Sequence, residues 1–177
     1  MPATEIPDRV VWAVETLALD PSDQVLEIGC GHGLAVSLVC DKLSRGRLTA
    51  IDRSPKMITA AQQRNAAYVA ANKVRFETVA LADGDFGQRR FSKIFAINVN
   101  LFWIDPSKEL PVVRMLLRLD GTLYLFYQPP SSAQLKPLAA KLARNLEAGG
   151  FRVDQVISGR GSVGSLCIIA RPAKEAA

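Results

Sequence analysis

The sequence has one histidine, three cysteines and two tryptophans among 177 residues, and no long apolar run. Each shortage removes a class of function. Cys30, Cys40 and Cys167 are odd in number, and none sits in a Cys-x-x-Cys or His-Cys cluster. Neither a disulfide scaffold nor a structural zinc site is expected, and no metal-binding residues are assigned. The expected compartment is a reducing cytoplasm. The most apolar stretch, residues 94–104, is too short for a bilayer span and carries Asn98 and Asn100, so no membrane helix is expected. The start, Met1-Pro2-Ala3-Thr4-Glu5, lacks the basic opening and apolar stretch of a signal peptide. Internal repeats, low-complexity tracts and Gly/Ser linkers are missing as well. The formal net charge is +5, but the basic residues are spread along the chain and only Arg89-Arg90 are adjacent. A nucleic-acid binder more often shows a basic stripe with interleaved aromatics. A solvated basic surface is the preferred reading, and nucleic acid is a less favoured partner.

Hydrophobic residues make up 49% and charged residues 22%, the balance of an ordinary globular protein. The length fits one domain, residues 1–177, with enough chain to bury a core without staples.

Strand-like and helix-like segments alternate. Residues 7–19 have helical spacing, with Asp8 as the expected N-cap and Val10, Val14 and Leu17 on one face. Residues 24–29 read as a buried strand, followed by a Gly-rich turn and a helix over about 34–45 that Gly46 is expected to stop. Residues 47–52 are a second strand. Ser54-Pro55 then opens a helix as an N-cap followed by Pro at the first turn, running to about Ala71. Further strands are expected at 74–79, 93–98 and 122–128, and helices at about 109–118 and 135–148, with a turn at Asp120-Gly121. Two last strands, 152–158 and 165–171, are separated by Gly159-Arg160-Gly161-Ser162-Val163-Gly164 with no helix between them, so they form an antiparallel hairpin. The expected fold class is α/β: a doubly wound, mostly parallel seven-stranded sheet with a C-terminal antiparallel hairpin and helices on both faces.

In such a sheet a ligand binds beyond the carboxyl ends of the strands, beside the first. That position carries Glu27-Ile28-Gly29-Cys30-Gly31-His32-Gly33, whose three alternating glycines permit a tight turn and close approach of a ligand. Strand two ends in Asp52, placed to accept hydrogen bonds from a ribose diol. Together these describe a nucleoside-containing cofactor. The dinucleotide spacing Gly-x-Gly-x-x-Gly fails from either Gly29 or Gly31, which disfavours a nicotinamide dehydrogenase.

Glu-x-Gly-x-Gly-x-Gly resembles the first motif of class I S-adenosylmethionine-dependent methyltransferases. The resemblance covers about residues 24–171. Ala50-Ile51-Asp52-Arg53-Ser54 with Met57 is similar to that family's second motif, Leu119-Asp120-Gly121-Thr122-Leu123 resembles its turn into strand five, and the terminal hairpin is similar to its reversed seventh strand. The resemblance implies S-adenosyl-L-methionine as cofactor. It implies a loop of Gly29, Cys30 and Gly31 beneath the methionine and ribose portions, Glu27 holding the loop and the amino end, Asp52 on the ribose, and Arg53 and Met57 beside the adenine. Where the family often carries an Asp for the adenine amino group, this chain has Leu81, with Ala82 next and Asp83 two residues late. Either backbone groups at Leu81 and Ala82 serve, or Asp83 does. Phe91-Ser92 replaces the usual Phe-Asp before strand four, a departure that bears on packing. His32, between two glycines, is read as facing solvent, with a proton-acceptor or cofactor contact as the competing reading.

The family's substrate side follows strand four. Here it reads Asn98-Val99-Asn100-Leu101-Phe102-Trp103, which lacks the Pro-Pro-aromatic tetrapeptide of enzymes acting on base or glutamine amino groups. Asn98 and Asn100 can offer contacts near the sulfonium, Phe102 and Trp103 an aromatic wall or plain core, and Tyr127 a further contact. No residue stands out as a general base, so no catalytic residue is assigned. The core fold uses almost the whole chain. An acceptor must therefore be held by the N-terminal segment, by the loop after strand four, or by a partner subunit, which makes a homodimer a candidate assembly. Ile6, Val11 and Trp12 are either a lid or a helix packed on the sheet edge. The expected activity is methyl transfer to a small-molecule acceptor by in-line displacement. The alternatives are an RNA or protein methyltransferase, or a cofactor-binding subunit without catalysis.

Overall fold

The computed structural model describes residues 6–159 and 164–174. Met1–Glu5, and residues 160–163 of the expected hairpin turn, lie outside the described residues. Seven strands form one sheet: β1 (Gln24–Ile28), β2 (Arg47–Asp52), β3 (Val74–Thr78), β4 (Phe91–Ile97), β5 (Leu117–Tyr127), β6 (Phe151–Gly159) and β7 (Ser165–Pro172). Their order is β3-β2-β1-β4-β5-β7-β6. The first five are parallel, and β7 runs antiparallel between β5 and β6.

Alternation along the strands builds two cores. Val25, Leu48, Ala50, Phe95 and Phe126 face α1 (Asp8–Thr16), α2 (Leu34–Lys42) and α3 (Pro55–Arg64). Leu26, Ile28, Ile51, Ile94 and Leu125 face α6 (Glu109–Leu116) and α7 (Leu135–Ala148). Both faces of the central strands are therefore apolar, as a doubly covered parallel sheet requires. Among the described residues no helix is long and apolar enough to cross a membrane. The three cysteines are free and buried.

Several local features differ from the sequence expectations. Asp8 lies inside the first turn of α1 rather than capping it; the N-cap is Pro7, and Asp8 meets the helix dipole with its charge instead. Helix α2 ends earlier than expected, at Lys42. Gly46 does not stop it: a Cβ there would lie 2.1 Å from the Asp23 carbonyl oxygen, so Gly46 serves a close backbone approach. The helix after Ser54 breaks at Asn65, and a short α4 (Ala66–Ala70) follows. Asp120-Gly121 is part of a bulge: Phe91 pairs with Leu117 and Lys93 with Thr122, so residues 118–121 loop out of the ladder. A short helix, α5 (Leu101–Ile104), precedes α6 and was not expected. Helix α1 buries Val10, Ala13, Val14 and Leu17, and its Trp12 meets Phe126 edge-on at 5.6 Å. Ser92 donates to Asp23 Oδ1 at 2.7 Å, and Lys93 pairs with Asp23 Oδ2 at 3.0 Å. That departure from the family pattern thus braces the opposite end of the sheet from the Gly-rich loop.

Candidate active site

β1 pairs with β2 on one side and β4 on the other, so the strand order reverses at its carboxyl end. The loop leaving that end turns through three left-handed glycines, Gly29 (φ +71), Gly31 (φ +52) and Gly33 (φ +70). The first two of its N–H groups, of Gly29 and Cys30, donate to Ile51 O at 2.8 and 3.0 Å. Gly31 N–H donates to Asp52 Oδ2 at 3.0 Å, and Ser54 N–H to Asp52 Oδ1 at 2.9 Å. One carboxylate thus fixes the loop and the start of α3 together. Asn65 closes the far side: its buried amide donates to Gly33 O at 3.1 Å and to Ala61 O at 2.9 Å. A Cβ at Gly31 would meet nothing within 4 Å, so the loop's middle faces open space.

Glu27 lies in β1 just before the loop, only 4% exposed, and its Oε2 is buried with no hydrogen-bond partner among the described residues. Burial, with the Asp52 charge nearby, pushes its carboxyl up to about 8. The Cys30 thiol is also raised by burial, so it is an inert core group rather than a nucleophile.

A cleft of about 570 Å³ opens at the tips of β1, β2 and β4, between the loop and α5. Gly29, Asp52, Arg53, Leu81, Asn98 and Asn100 line it, with Glu109 at the start of α6. A second cavity of about 430 Å³ lies beyond β4 and β5, walled by Trp103, Tyr127, Gln128 and the first turns of α7. Asn98 and Asn100 line both. Asn98 adopts φ +55, its N–H donates to Phe126 O at 2.8 Å, and its Oδ1 accepts from Gln128 N–H at 2.8 Å. The wall between the two cavities is therefore tied to the end of β5.

The methyltransferase-domain family model matches residues 26–123, more than half of the chain. The chain belongs to the class I S-adenosylmethionine-dependent methyltransferases. It is 29% identical over 123 residues to the trans-aconitate 2-methyltransferase of Enterobacter sp. (strain 638), covering 69% of this chain and 43% of that protein. Over 112 residues it is 26% identical to YrhH of Bacillus subtilis (strain 168), named as a methyltransferase, covering 63% of this chain and 61% of that protein. The chain thus spans less than two thirds of the length of these two relatives. In fold it is similar to the CcbJ methyltransferase from Streptomyces caelestis, with a TM-score of 0.76 at 18% identity, over 98% of this chain and 99% of that one.

In this chain of the methyltransferase family the sequence-expected cofactor residues divide. Gly29, Asp52, Arg53, Leu81 and Asn98 line the first cleft. Glu27, Cys30 and Gly31 lie at or beneath the loop; Met57 is half-buried in the first turn of α3, and Ala82 is half-buried outside the cleft lining. Of the two options for the adenine side, Leu81 lines the cleft with Ala80, while Asp83 is exposed. His32 is exposed, as its position between glycines suggested. Asn100, Trp103 and Tyr127 line the second cavity. For Phe102 the structure favours plain core over aromatic wall: it is 1% exposed in the α6/α7 core and lines neither cavity. It lies on the side of α5 that packs against α7, while Trp103, about 100° further round the helix, faces the cavity. Sequence reasoning missed Gln128, next to Tyr127, and Glu109, Gln134 and Lys141, which reach the cavities from the starts of α6 and α7 and belong to no motif. Among the described residues no group of three His, Cys, Asp or Glu side chains could hold a metal ion.

Proposed function

We propose that this chain transfers a methyl group from S-adenosylmethionine, seated in the cleft at the Gly-rich loop, to a small molecule in the second cavity. The observation that carries this reading is the junction of two cavities at Asn98 and Asn100, one beside Asp52 and the other beside Trp103. The residues suit the cofactor. The first cleft falls in the size range of small-molecule sites, about 300–1,000 Å³. Asp52 offers a carboxylate to a ribose diol, Leu81 and Ala80 an apolar edge to a base, and the orphaned Glu27 oxygen an acceptor that an ammonium group would satisfy. When bound, S-adenosylmethionine supplies a sulfonium-activated methyl that an acceptor lone pair can take by in-line displacement.

The chain's own contribution is orientation and exclusion of water. Asn98 and Tyr127 hold the wall where donor and acceptor would meet. Among the described residues Glu109 is the one carboxylate besides Asp52 in the cleft lining. The buried Tyr127 phenol is raised above its usual range and already donates to Val99 O, so it positions backbone instead of accepting a proton. An acceptor whose reacting atom carries a free lone pair at neutral pH suits such a site.

The charge distribution favours a small acceptor over RNA. Arg47, Lys73, Arg75, Arg89 and Arg90 gather around a cavity at the amino ends of β2 and β3, the opposite end of the sheet from the cleft. Two of them are occupied by Glu77, through Arg75 at 2.7 Å and Arg89 at 2.6 Å. The name of the Enterobacter relative, a trans-aconitate methyltransferase, adds support for a small-molecule acceptor. The test is to incubate the purified chain with methyl-tritiated S-adenosylmethionine and fractionated cell extract. Label in the small-molecule fraction is expected. Label confined to RNA or protein overturns the acceptor class, and no label in any fraction favours a cofactor-binding subunit.

A further inference from the structure

The second cavity carries charge of one sign. Lys141 is its one charged side chain among the described residues, and no carboxylate lines it. Trp103, Pro129, Pro130, Pro137 and Leu138 give it a flat apolar side, and Asn98, Asn100, Gln128 and Gln134 add neutral polar groups. Three features preset this arrangement. Asn145 on α7 donates to Phe102 O at 3.0 Å, which pins α5 against α7. The Trp103 indole N–H donates to Asn100 Oδ1 at 3.2 Å, which fixes the ring plane. Lys141 Nζ lies 5.2 Å from the centre of that ring, and Lys141 makes no ion pair with the described residues. Pro137, Leu138 and Lys141 share one face of α7 at helical spacing, just past its N-cap Gln134, so the exposed Lys141 stands on the same face as the wall residues.

A neutral apolar acceptor would cover the ammonium without replacing its water. A cationic acceptor would be repelled by it. An anionic group would gain a charge-assisted partner in a lining whose other groups are neutral. With one lysine and no arginine fork in the lining, the site neutralises one negative charge and not the two of a phosphate monoester. We propose that the methyl acceptor is a small organic monoanion with a planar apolar body, seated against Trp103 and the prolines with its carboxylate at Lys141. Its opposite end faces Asn98 and Asn100, where the two cavities meet. This deepens the function proposed above and rests on it.

The test uses the full-length ¹⁵N-labelled protein, following the Trp103 indole N–H resonance, assigned with Trp103→Phe. Cinnamate and 2-naphthoate are titrated beside their neutral amides, and S-adenosylhomocysteine is titrated into the same samples. Both acids are expected to shift the Trp103 resonance and to bind at least about fivefold more tightly than the amides. Lys141→Met, a change at an exposed position, is expected to erase that preference, and Lys141→Arg to keep it. Amides binding as tightly as acids, a preference that survives Lys141→Met, or no Trp103 shift with either acid would each overturn the proposal. Binding of S-adenosylhomocysteine in such a sample leaves the methyltransferase reading standing. Acid binding without S-adenosylhomocysteine binding would instead overturn that reading and leave the anion site in place.

Discussion

The Tyr127 phenol at the tip of β5 donates its proton to the carbonyl oxygen of Val99. Val99 in turn packs its side chain against the Gly-rich loop, so closely that a Cβ on Gly29 would lie 2.7 Å from Val99 Cγ2. Tyr127 lines the second cavity, proposed for the acceptor, and Gly29 the first cleft, proposed for the cofactor. Three residues thus connect the two halves of the site mechanically.

Tyr127→Phe removes that tie while keeping the ring. We expect a stability loss of about 0.5–1.5 kcal/mol, the net worth of one hydrogen bond, and S-adenosylhomocysteine affinity reduced several-fold. Denaturant unfolding and calorimetric titration measure the two. Because the phenol positions backbone, the pH profile of any activity should keep its shape. Loss of a limb from that profile in the variant would mean that Tyr127 handles the acceptor's proton.

Gly29 and Gly31 both have positive φ, yet they differ in what surrounds them. Gly29→Ala drives a methyl into the stiff Val99 side chain, whereas Gly31→Ala carries only the left-handed backbone cost of about 1–2 kcal/mol. Urea unfolding should find Gly29→Ala the less stable of the two. Equal losses would contradict the close Gly29–Val99 approach.

Glu27 ionises near 4.5 when the chain is unfolded and near 8 when it is folded, so between those values the folded state holds more protons. Stability should therefore decline as pH rises from 4.5 to 8 and level off above, at a slope of up to about 1.4 kcal/mol per pH unit. Glu27→Gln should flatten this dependence and weaken S-adenosylhomocysteine binding. Cofactor binding to the natural protein should release a proton near pH 7, visible as a dependence of the calorimetric heat on buffer ionisation enthalpy. A wild-type stability curve that stays level between pH 5 and 8 would show that Glu27 is ionised or solvated in the folded protein.

Asn65 is the side chain that breaks α3 from α4 and reaches back to the loop. Removing its buried amide in Asn65→Ala takes the side-chain donor from the Gly33 carbonyl, while the Ala61 carbonyl keeps the Asn65 backbone N–H at 3.0 Å. The expected cost is about 1–3 kcal/mol, with weakened S-adenosylhomocysteine binding because the loop loses its far anchor. Unchanged affinity in a folded variant would restrict Asn65 to a structural role.

The parts of the molecule written in short sequence windows were legible before the structure. Strand β1, the alternating glycines, Asp52 and the Ser54-Pro55 helix start are each set by neighbours within a few residues, and Ser54 does accept from Met57 N–H at 3.4 Å. The terminal hairpin was legible because no helix fits between its strands. What escaped depends on contacts between distant segments. Gly46 is a glycine because of Asp23, and Asn65 ends a helix because of Gly33. Phe102 and Trp103 are adjacent in sequence, and only the docking of α5 against α7 decides which is core and which is cavity wall. Lys141 reads as an ordinary helix-surface lysine until Trp103 is placed beneath it.

The central claim is that the Gly-rich loop and Asp52 seat S-adenosylmethionine. Calorimetric titration of S-adenosylhomocysteine into the purified chain, with Asp52→Ala alongside, tests it most directly. Micromolar or tighter binding is expected, falling at least about tenfold in the variant, because Asp52 both anchors Gly31 and offers the ribose acceptor. No heat and no thermal stabilisation of the natural protein, or equal affinity in a folded Asp52→Ala variant, would contradict it.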